Sequence, residues 1–563
     1  MTSTSTALST TLVHPAAGDG PWWRDAVVYQ VYPRSFADSD GDGMGDLPGI
    51  TARLPHLAAL GVDAVWISPF YPSPQHDAGY DVADYCDIEP TFGTLDDADT
   101  LLAEAKRLGL RVLVDLVPNH TSWDHAWFRA ALAAGPGSPE RARYIFREGK
   151  GPDGGEPPNN WLSTFGGTAW TRVTEPDGTP GQWYLHLFDD SQPDLDWTNP
   201  EVHAEFAAIL RFWLDRGVDG FRIDVAHGMV KADGLPDTVT VHENLDPTHH
   251  LGPMWDQEGV HEIYREWRRI LNGYDGERAM VAEAWVADPR RMARYVRPDE
   301  VHQSFNFGFL TALWDANAQR TAITDSLLAM DDVGATTTWV LSNHDVVRHA
   351  SRLGLEVPGT FGPGIGADDP QPDQALGLRR ARAASLMMLA LPGSAYVYQG
   401  EELGLPEHTT LDDDERQDPV WERTGHTQKG RDGCRVPLPW SADAPAYGFS
   451  PTGASWLTQP EVFGELAADR QVGVPGSTFE LYREALALRR ELGLGGGSLA
   501  WVDDLCDDTT LAFVNGDVLV VTNLGSAPVA VPGGFEVLAS SVDASAAEVP
   551  AEATVWFRPA ARA

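Results

Sequence analysis

Eight short runs rich in β-branched and aromatic residues recur along the chain, most of them trailed by a stretch with helical spacing. The runs are AVVYQVYPRSF (26–36), DAVWISPF (63–70), LRVLVDLVPNH (110–120), VDGFRIDV (218–225), RAMVAEAW (278–285), QSFNFGF (303–309), TTTWVLSNHD (336–345) and SAYVYQG (394–400). The helical stretches include ITARLPHLAALG (50–61), DADTLLAEAKRLG (97–109), EVHAEFAAILRFWLDRG (201–217) and VHEIYREWRRILN (260–272). A strand that is apolar almost throughout, rather than at alternate residues, is buried on both faces. That is the pattern of a parallel sheet covered by helices. Eight such units in succession predict an α/β chain built on a (β/α)8 TIM barrel.

The rhythm breaks twice. Residues 122–190 are rich in Gly, Pro, Trp and Asn, as in GKGPDGGEPPNNW and FGGTAWTR. A stretch this long inside a compact domain is not a plain loop. It is expected to form an inserted subdomain, domain B, over the barrel mouth, with the barrel itself spanning 21–121 and 191–480. From 481 onward SLAWVDD, TTLAFVNGDVLVVTNLG, VAVPGG, FEVLASS and ATVWFRP alternate with turn signals such as Asn515-Gly516. They predict a C-terminal antiparallel β-sandwich domain over 481–563. Residues 1–20, small and polar, lack the basic start and apolar run of a signal peptide and are expected to be a disordered lead.

Charge narrows the partners. Lys plus Arg is 41 and Asp plus Glu is 82, a net charge of −41. Such a chain repels polyanions and anionic membrane surfaces, so neither nucleic acid nor membrane is an expected partner, while a neutral sugar is compatible. No apolar run approaches the ~18 residues of a spanning helix. Cys86, Cys434 and Cys506 are far apart and form no CxxC pair. That fits a reducing cytoplasm better than a disulfide framework or a zinc site.

The strand ends carry the polar residues. The third run ends in Asn119-His120, the fourth in Arg222-Ile223-Asp224, the fifth reaches Glu283, and the seventh ends in Asn343-His344-Asp345. C-terminal strand ends face the active site of such a barrel. Glycosidic cleavage needs two carboxylates: one protonates the leaving oxygen, the other attacks the anomeric carbon or activates water. An Arg two residues before a carboxylate shares its face of the strand and keeps it ionised. A further signal is DSDGDGMGD (38–46), with carboxylates at Asp38, Asp40, Asp42 and Asp46 and the carbonyl of Met44 between them. That is the spacing of an oxygen-ligand cation loop, although Gly49 stands where a calcium sensor has its last carboxylate.

QVYPRSF, DVADY, DLVPNH, GFRIDVAH, VAEAW and SNHDVVRH, in this order, resemble the motifs of glycoside hydrolase family 13, the α-amylase superfamily. SQPDLDW (191–197) and GRDGCRVPLPW (430–440) resemble its α-glucosidase and oligo-1,6-glucosidase branch. The resemblance covers about residues 22–560. It implies a retaining mechanism with a covalent β-glucosyl intermediate on Asp224, Glu283 as acid/base and Asp345 as transition-state stabiliser. It further implies Arg222, His120 and His344 as sugar-binding partners, Asp77 and Tyr80 lining the glucose pocket, Arg431 opposite Asp77, and Phe165 packing against the sugar. The loop at 38–46 would hold a structural Ca²⁺ or Mg²⁺.

The expected activity is that of an exo-acting α-glucosidase releasing terminal glucose from short α-glucosides, with transglucosylation as a side activity. The alternative is a sugar isomerase or glucosyltransferase of the trehalulose- or isomaltulose-forming type. In this branch the residue after the nucleophile tends to be Val for α-1,6 action and smaller or polar for α-1,4; here it is Val225, but the following AHGMVK departs from the usual oligo-1,6 pattern. Maltose-type α-1,4 substrates are preferred on that basis. A monomer or homodimer is expected.

Overall fold

The computed structural model describes residues 8–18, 20–239, 252–359, 362 and 364–560. All eight runs form strands: β1 (Val27–Val31), β2 (Ala64–Ile67), β3 (Arg111–Leu116), β4 (Gly220–Ile223), β5 (Ala279–Ala282), β6 (Gln303–Ser304), β7 (Thr338–Val340) and β8 (Ser394–Tyr398). Seven neighbouring pairs are parallel, including β8 with β1. A single parallel bridge, Phe305 to Thr338, joins β6 to β7 and closes the ring.

Strand parity decides what each residue meets. Val28, Trp66, Leu113, Val281, Phe305, Val340 and Tyr396 form one apolar cluster inside the barrel. Their strand neighbours, such as Val27, Tyr29, Val65, Val112 and Val114, join the cluster that the surrounding helices cover. Both faces are therefore apolar, which is why the runs do not alternate. Gln30, Ser68, Asp115, Arg222, Asp224 and Glu283 share the parity of the inward residues, so the same periodicity that fills the barrel aims them at its mouth.

Residues 122–190 hold a helix, Ala126–Ala134, and a three-stranded antiparallel sheet made of Phe146–Arg147, Trp170–Thr174 and Pro180–Leu185. The helix is not anticipated by the Gly-, Pro-, Trp- and Asn-rich composition of the stretch. Trp161, Trp170, Leu185 and Leu187 pack with Met254, Trp255 and Val225 of the segment after β4. The insert thus sits on the chain that immediately follows Asp224.

The C-terminal part is a six-stranded antiparallel sheet with a separate two-stranded one, Val529–Ala530 with Glu548–Val549. In its hairpin Asn515 pairs with Val518 across Gly516, which has φ 59° as a tight turn requires. One edge strand of the large sheet comes from the N-terminus. Thr10–His14 pairs antiparallel with Leu499–Val502, and His14 Nδ1 meets Asp331 at 2.8 Å. The expectation that residues 1–20 form a disordered lead is corrected here for 10–14: the β-branched TTLVH run finds an open edge and covers it. The domain limit at 480 also falls inside a helix, Thr478–Glu491. Among the described residues no helix is long and apolar enough to cross a membrane.

Candidate active site

Two arginines organise the mouth. Arg222 lies opposite Asp115 in the β3–β4 register, and Asp224 and Glu283 follow β4 and β5. Its Nη1 donates to Asp224 Oδ1 (2.7 Å) and Asp115 Oδ1 (2.9 Å), and its Nη2 meets Glu283 Oε2 at 2.8 Å. All four side chains are buried. Three carboxylates around one guanidinium cannot all be comfortably ionised. Burial raises Asp224 well above the usual range, with Arg222 opposing and the neighbouring Glu283 and Asp115 adding to the rise. Burial likewise raises Asp115 to about 7. The cluster therefore holds a proton near neutrality.

Arg431 organises the opposite wall. Its Nη2 donates to Asp77 Oδ1 (2.7 Å), its Nη1 to Asp345 Oδ1 (3.0 Å), and its Nε and backbone N–H to Asp418 Oδ2 (2.6 and 2.7 Å). Arg435 also reaches Asp345, at 3.2 Å. Burial works against the charge on Asp345, but His344, Arg431, Arg435 and Arg222 together hold it below the ordinary carboxylate range. Asp77 is pushed up to about 6 by burial, against the pull of Arg431 and Arg435.

The histidines have fixed tautomers. Gln30 Nε2 donates to His344 Nδ1 (2.7 Å), so the His344 proton sits on Nε2, 3.2 Å from Asp345. Burial lowers His344 well below its normal pKa. His120 accepts from Asn119 Nδ2 at Nδ1 (3.1 Å) and donates from Nε2 to the Tyr80 carbonyl (3.1 Å), and burial lowers it to about 4. Both stay neutral in the working range. Tyr80 joins the two walls: its ring lies flat on His344, 5.1 Å between centroids with 4° between planes, and its hydroxyl donates to Asp115 Oδ2.

Asp224, Glu283, Asp345, Asp77, Tyr80, His120, Arg222, His344 and Arg431 thus converge. Phe165 reaches the same place from the insert, where its ring meets the Arg431 guanidinium, 4.9 Å from its centroid, and the edge of Phe188. Asp115, Asp418, Arg435 and Gln192, which donates to Asp77 Oδ2 (3.0 Å), escape the sequence reading. Lys231 escapes it too. It is buried between Asp194 (2.7 Å) and Asn119 Oδ1 (2.8 Å), bolting the insert's return segment to the barrel. Residues 240–251, on the segment after β4, lie outside the described residues.

The mouth carries six carboxylates, Asp77, Asp115, Asp224, Glu283, Asp345 and Asp418, against three guanidiniums, Arg222, Arg431 and Arg435. Such an excess suits a positively charged, oxocarbenium-like transition state on a neutral sugar.

The loop at 38–46 divides. Carboxylate oxygens of Asp38, Asp40 and Asp42 lie within 4.8 Å of one another. Asp46 is not one of these three. Its Oδ1 accepts the Gly49 N–H and caps the helix Leu47–Leu60, and its Oδ2 accepts from Ser39. Met44 turns its sulfur to Arg34 Nε (3.4 Å) and donates its N–H to Asp42. Three oxygen donors on one turn fit a hard cation.

Residues 30–494 match the model of the α-amylase catalytic domain. The chain is 40% identical to a probable α-glucosidase of Rhizobium meliloti (strain 1021) over 504 residues, 86% of each protein. It is 35% identical to an oligo-1,6-glucosidase of Parageobacillus thermoglucosidasius, covering 84% of both. The solved structure of an α-glucosyl transfer enzyme, XgtA, superposes with a TM-score of 0.83 at 35% identity, over 96% of this chain and 100% of that one. The trehalulose synthase MutB of Pseudomonas mesoacidophila MX-45 gives 0.82 at 30% identity, with the same coverage. The chain belongs to the α-amylase family, in its α-glucosidase and oligo-1,6-glucosidase branch, and is a glycoside hydrolase.

Proposed function

We propose that this hydrolase is a retaining, exo-acting α-glucosidase that releases terminal non-reducing glucose from short α-glucosides. The reading is carried by one observation: Asp77 and Arg431 pair within the same mouth in which a single guanidinium gathers Asp224 and Glu283. In the first step an Asp224 oxygen attacks the anomeric carbon. Glu283 protonates the leaving oxygen as the glycosidic bond breaks. In the second step Glu283 takes a proton from water, whose oxygen displaces Asp224 and frees glucose. Asp345, kept ionised by Arg431, Arg435 and His344, stabilises the charge at the ring and holds sugar hydroxyls. Tyr80, stacked on His344, forms the platform under the sugar ring, and the neutral His120 and His344 rings border it.

Glu283→Gln tests the acid role. Hydrolysis of maltose, whose leaving group needs a proton, is expected to fall by about 10²–10⁴-fold. Glucosylation by 4-nitrophenyl α-glucoside, whose leaving group does not, is expected to survive far better in pre-steady-state traces. Equal losses on the two substrates remove Glu283 from the role.

Val225 is the residue expected with α-1,6 action, but the departure after it supports maltose-type α-1,4 substrates ahead of isomaltose or sucrose. A second reading, a sugar isomerase or glucosyltransferase, draws support from the likeness to XgtA and MutB. It shares the covalent step and differs in what takes the glucosyl group. Product analysis with maltose, isomaltose and sucrose separates them: glucose supports hydrolysis, and a rearranged disaccharide supports isomerisation.

Asp38, Asp40 and Asp42 are proposed to hold a structural Ca²⁺ or Mg²⁺. A cation bound only by the folded chain adds about 2.7 kcal/mol at one hundred times its Kd. Chelation is expected to lower the melting temperature by a few degrees while residual activity at 25 °C persists. Instant loss of activity with unchanged melting overturns a structural role.

A further inference from the structure

Glu283 is held by three N–H donors, divided unequally between its oxygens. Oε2 takes Arg222 Nη2 (2.8 Å) and the Val225 backbone N–H (3.0 Å). Oε1 takes Trp285 Nε1 (3.1 Å), which among the described residues is its one donor. A carboxyl oxygen offers about two lone-pair sites, and guanidinium, amide and indole N–H groups donate without accepting. Oε2 is thereby filled, and Oε1 keeps one site. Trp285 is not free to swing away. Its indole lies flat on Phe307, 3.8 Å between ring centroids with 10° between planes, and both rings are buried. Phe307 comes from the segment after β6, so the ends of two adjacent strands fix one hydrogen bond.

We propose that Trp285 is a positioning residue that reserves Oε1 of Glu283 as the atom carrying the catalytic proton. The inference rests on Glu283 as the acid/base and deepens that reading. As the bond from the anomeric carbon to the leaving oxygen breaks, its electron pair stays on that oxygen. The Oε1 proton moves to the same oxygen, and an Asp224 oxygen bonds the anomeric carbon. An N–H donor on Oε1 favours the carboxylate over the acid, so it eases the outward transfer of the proton. The charged and titratable groups that face Glu283 are Arg222 and Asp224 from β4, Asp115 from β3, and His227, whose ring bonds the Glu283 backbone carbonyl. Asp345 acts on Asp224 through its charge. None of them is changed when the indole N–H alone is removed.

The test replaces Trp285 with 3-benzothienylalanine, which keeps the ring shape and the stack on Phe307 but carries sulfur in place of N–H. kcat/KM is measured against pH on maltose and on 4-nitrophenyl α-glucoside. The alkaline limb is expected to move to higher pH by about half a unit or more, because losing the donor favours the protonated form. Maltose turnover near neutrality is expected to fall about three- to tenfold, and the activated substrate less. An unmoved alkaline limb overturns the proposal, whatever the loss in rate. Glu283→Gln is measured alongside. If that variant keeps full maltose turnover, the acid/base reading fails and this inference with it. If it collapses while the isostere's limb stays in place, the Trp285 inference alone fails.

Discussion

Asp224→Asn is expected to abolish turnover while leaving the protein at least as stable as the parent. The amide oxygen of Asn keeps a hydrogen bond from Arg222, so the local geometry survives, but the nucleophile and its covalent intermediate are gone. Losing a nucleophile from a two-step hydrolase costs about 10⁴-fold or more in kcat. The stability half of the prediction follows from charge. Burial raises Asp224 above its ordinary range, and Glu283 and Asp115 add to the rise. A carboxylate raised in the folded state costs stability once pH exceeds its unfolded value, because the unfolded chain releases that proton more easily. At pH 7 the Asn variant escapes this cost. Its melting temperature is therefore expected to equal or exceed the parent's, with the advantage shrinking as pH falls toward 4. A stable variant with near-parental glucose release removes Asp224 from the role. A variant that melts well below the parent contradicts the charge argument.

How much of this could be read from the chain depends on whether a residue's reason is local. The eight strands were legible because burial on both faces writes a continuous apolar run. The acids at strand ends were legible for the same reason, since a polar residue that closes such a run has few other uses. Asp115 was not, because it stands inside the LRVLVDL run and its partner Arg222 is 107 residues away. An acid buried in a strand must be paired, and that was the available signal. Asp418 and Lys231 likewise take their meaning from partners brought by the fold. The strand Thr10–His14 is invisible locally because the edge it covers lies nearly 500 residues further on. Asp46 has two local readings. Regular spacing suggested a ligand, yet Asp-Leu-Pro is also the start of a helix, with Asp as cap and Pro in the first turn. The Gly49 and Ser39 amides take that carboxylate, much as the Asp40, Gly41 and Gly43 amides take Asp38.

Arg431→Ala is expected to damage both substrate binding and stability, because one guanidinium serves three carboxylates. Removing it strands Asp77, Asp345 and Asp418 without their main counter-charge. Breaking a buried pair in this way typically costs about 3–5 kcal/mol. The loss has a pH signature. Asp77 already sits at about 6 because of burial, against the pull of Arg431. Without Arg431 it rises further, so protonation neutralises the stranded charge at mildly acidic pH. The stability deficit is accordingly expected to be smaller at pH 5 than at pH 8, and a deficit independent of pH counts against the charge account. The functional consequence follows from the same pair. Asp77 and Arg431 offer an acceptor and a donor to a terminal sugar hydroxyl, while Phe165 backs the guanidinium from the insert. Under the proposed exo action the pocket ends at that pair, so a chain does not continue beyond the terminal glucose. In the parent enzyme, maltohexaose at early times is expected to give glucose and maltopentaose. In Arg431→Ala, kcat/KM on maltose is expected to fall by at least about a hundredfold, the loss that goes with stranding a buried charge at a binding site. A parental product spread of maltose, maltotriose and maltotetraose marks an open cleft, and the exo-acting assignment falls with it.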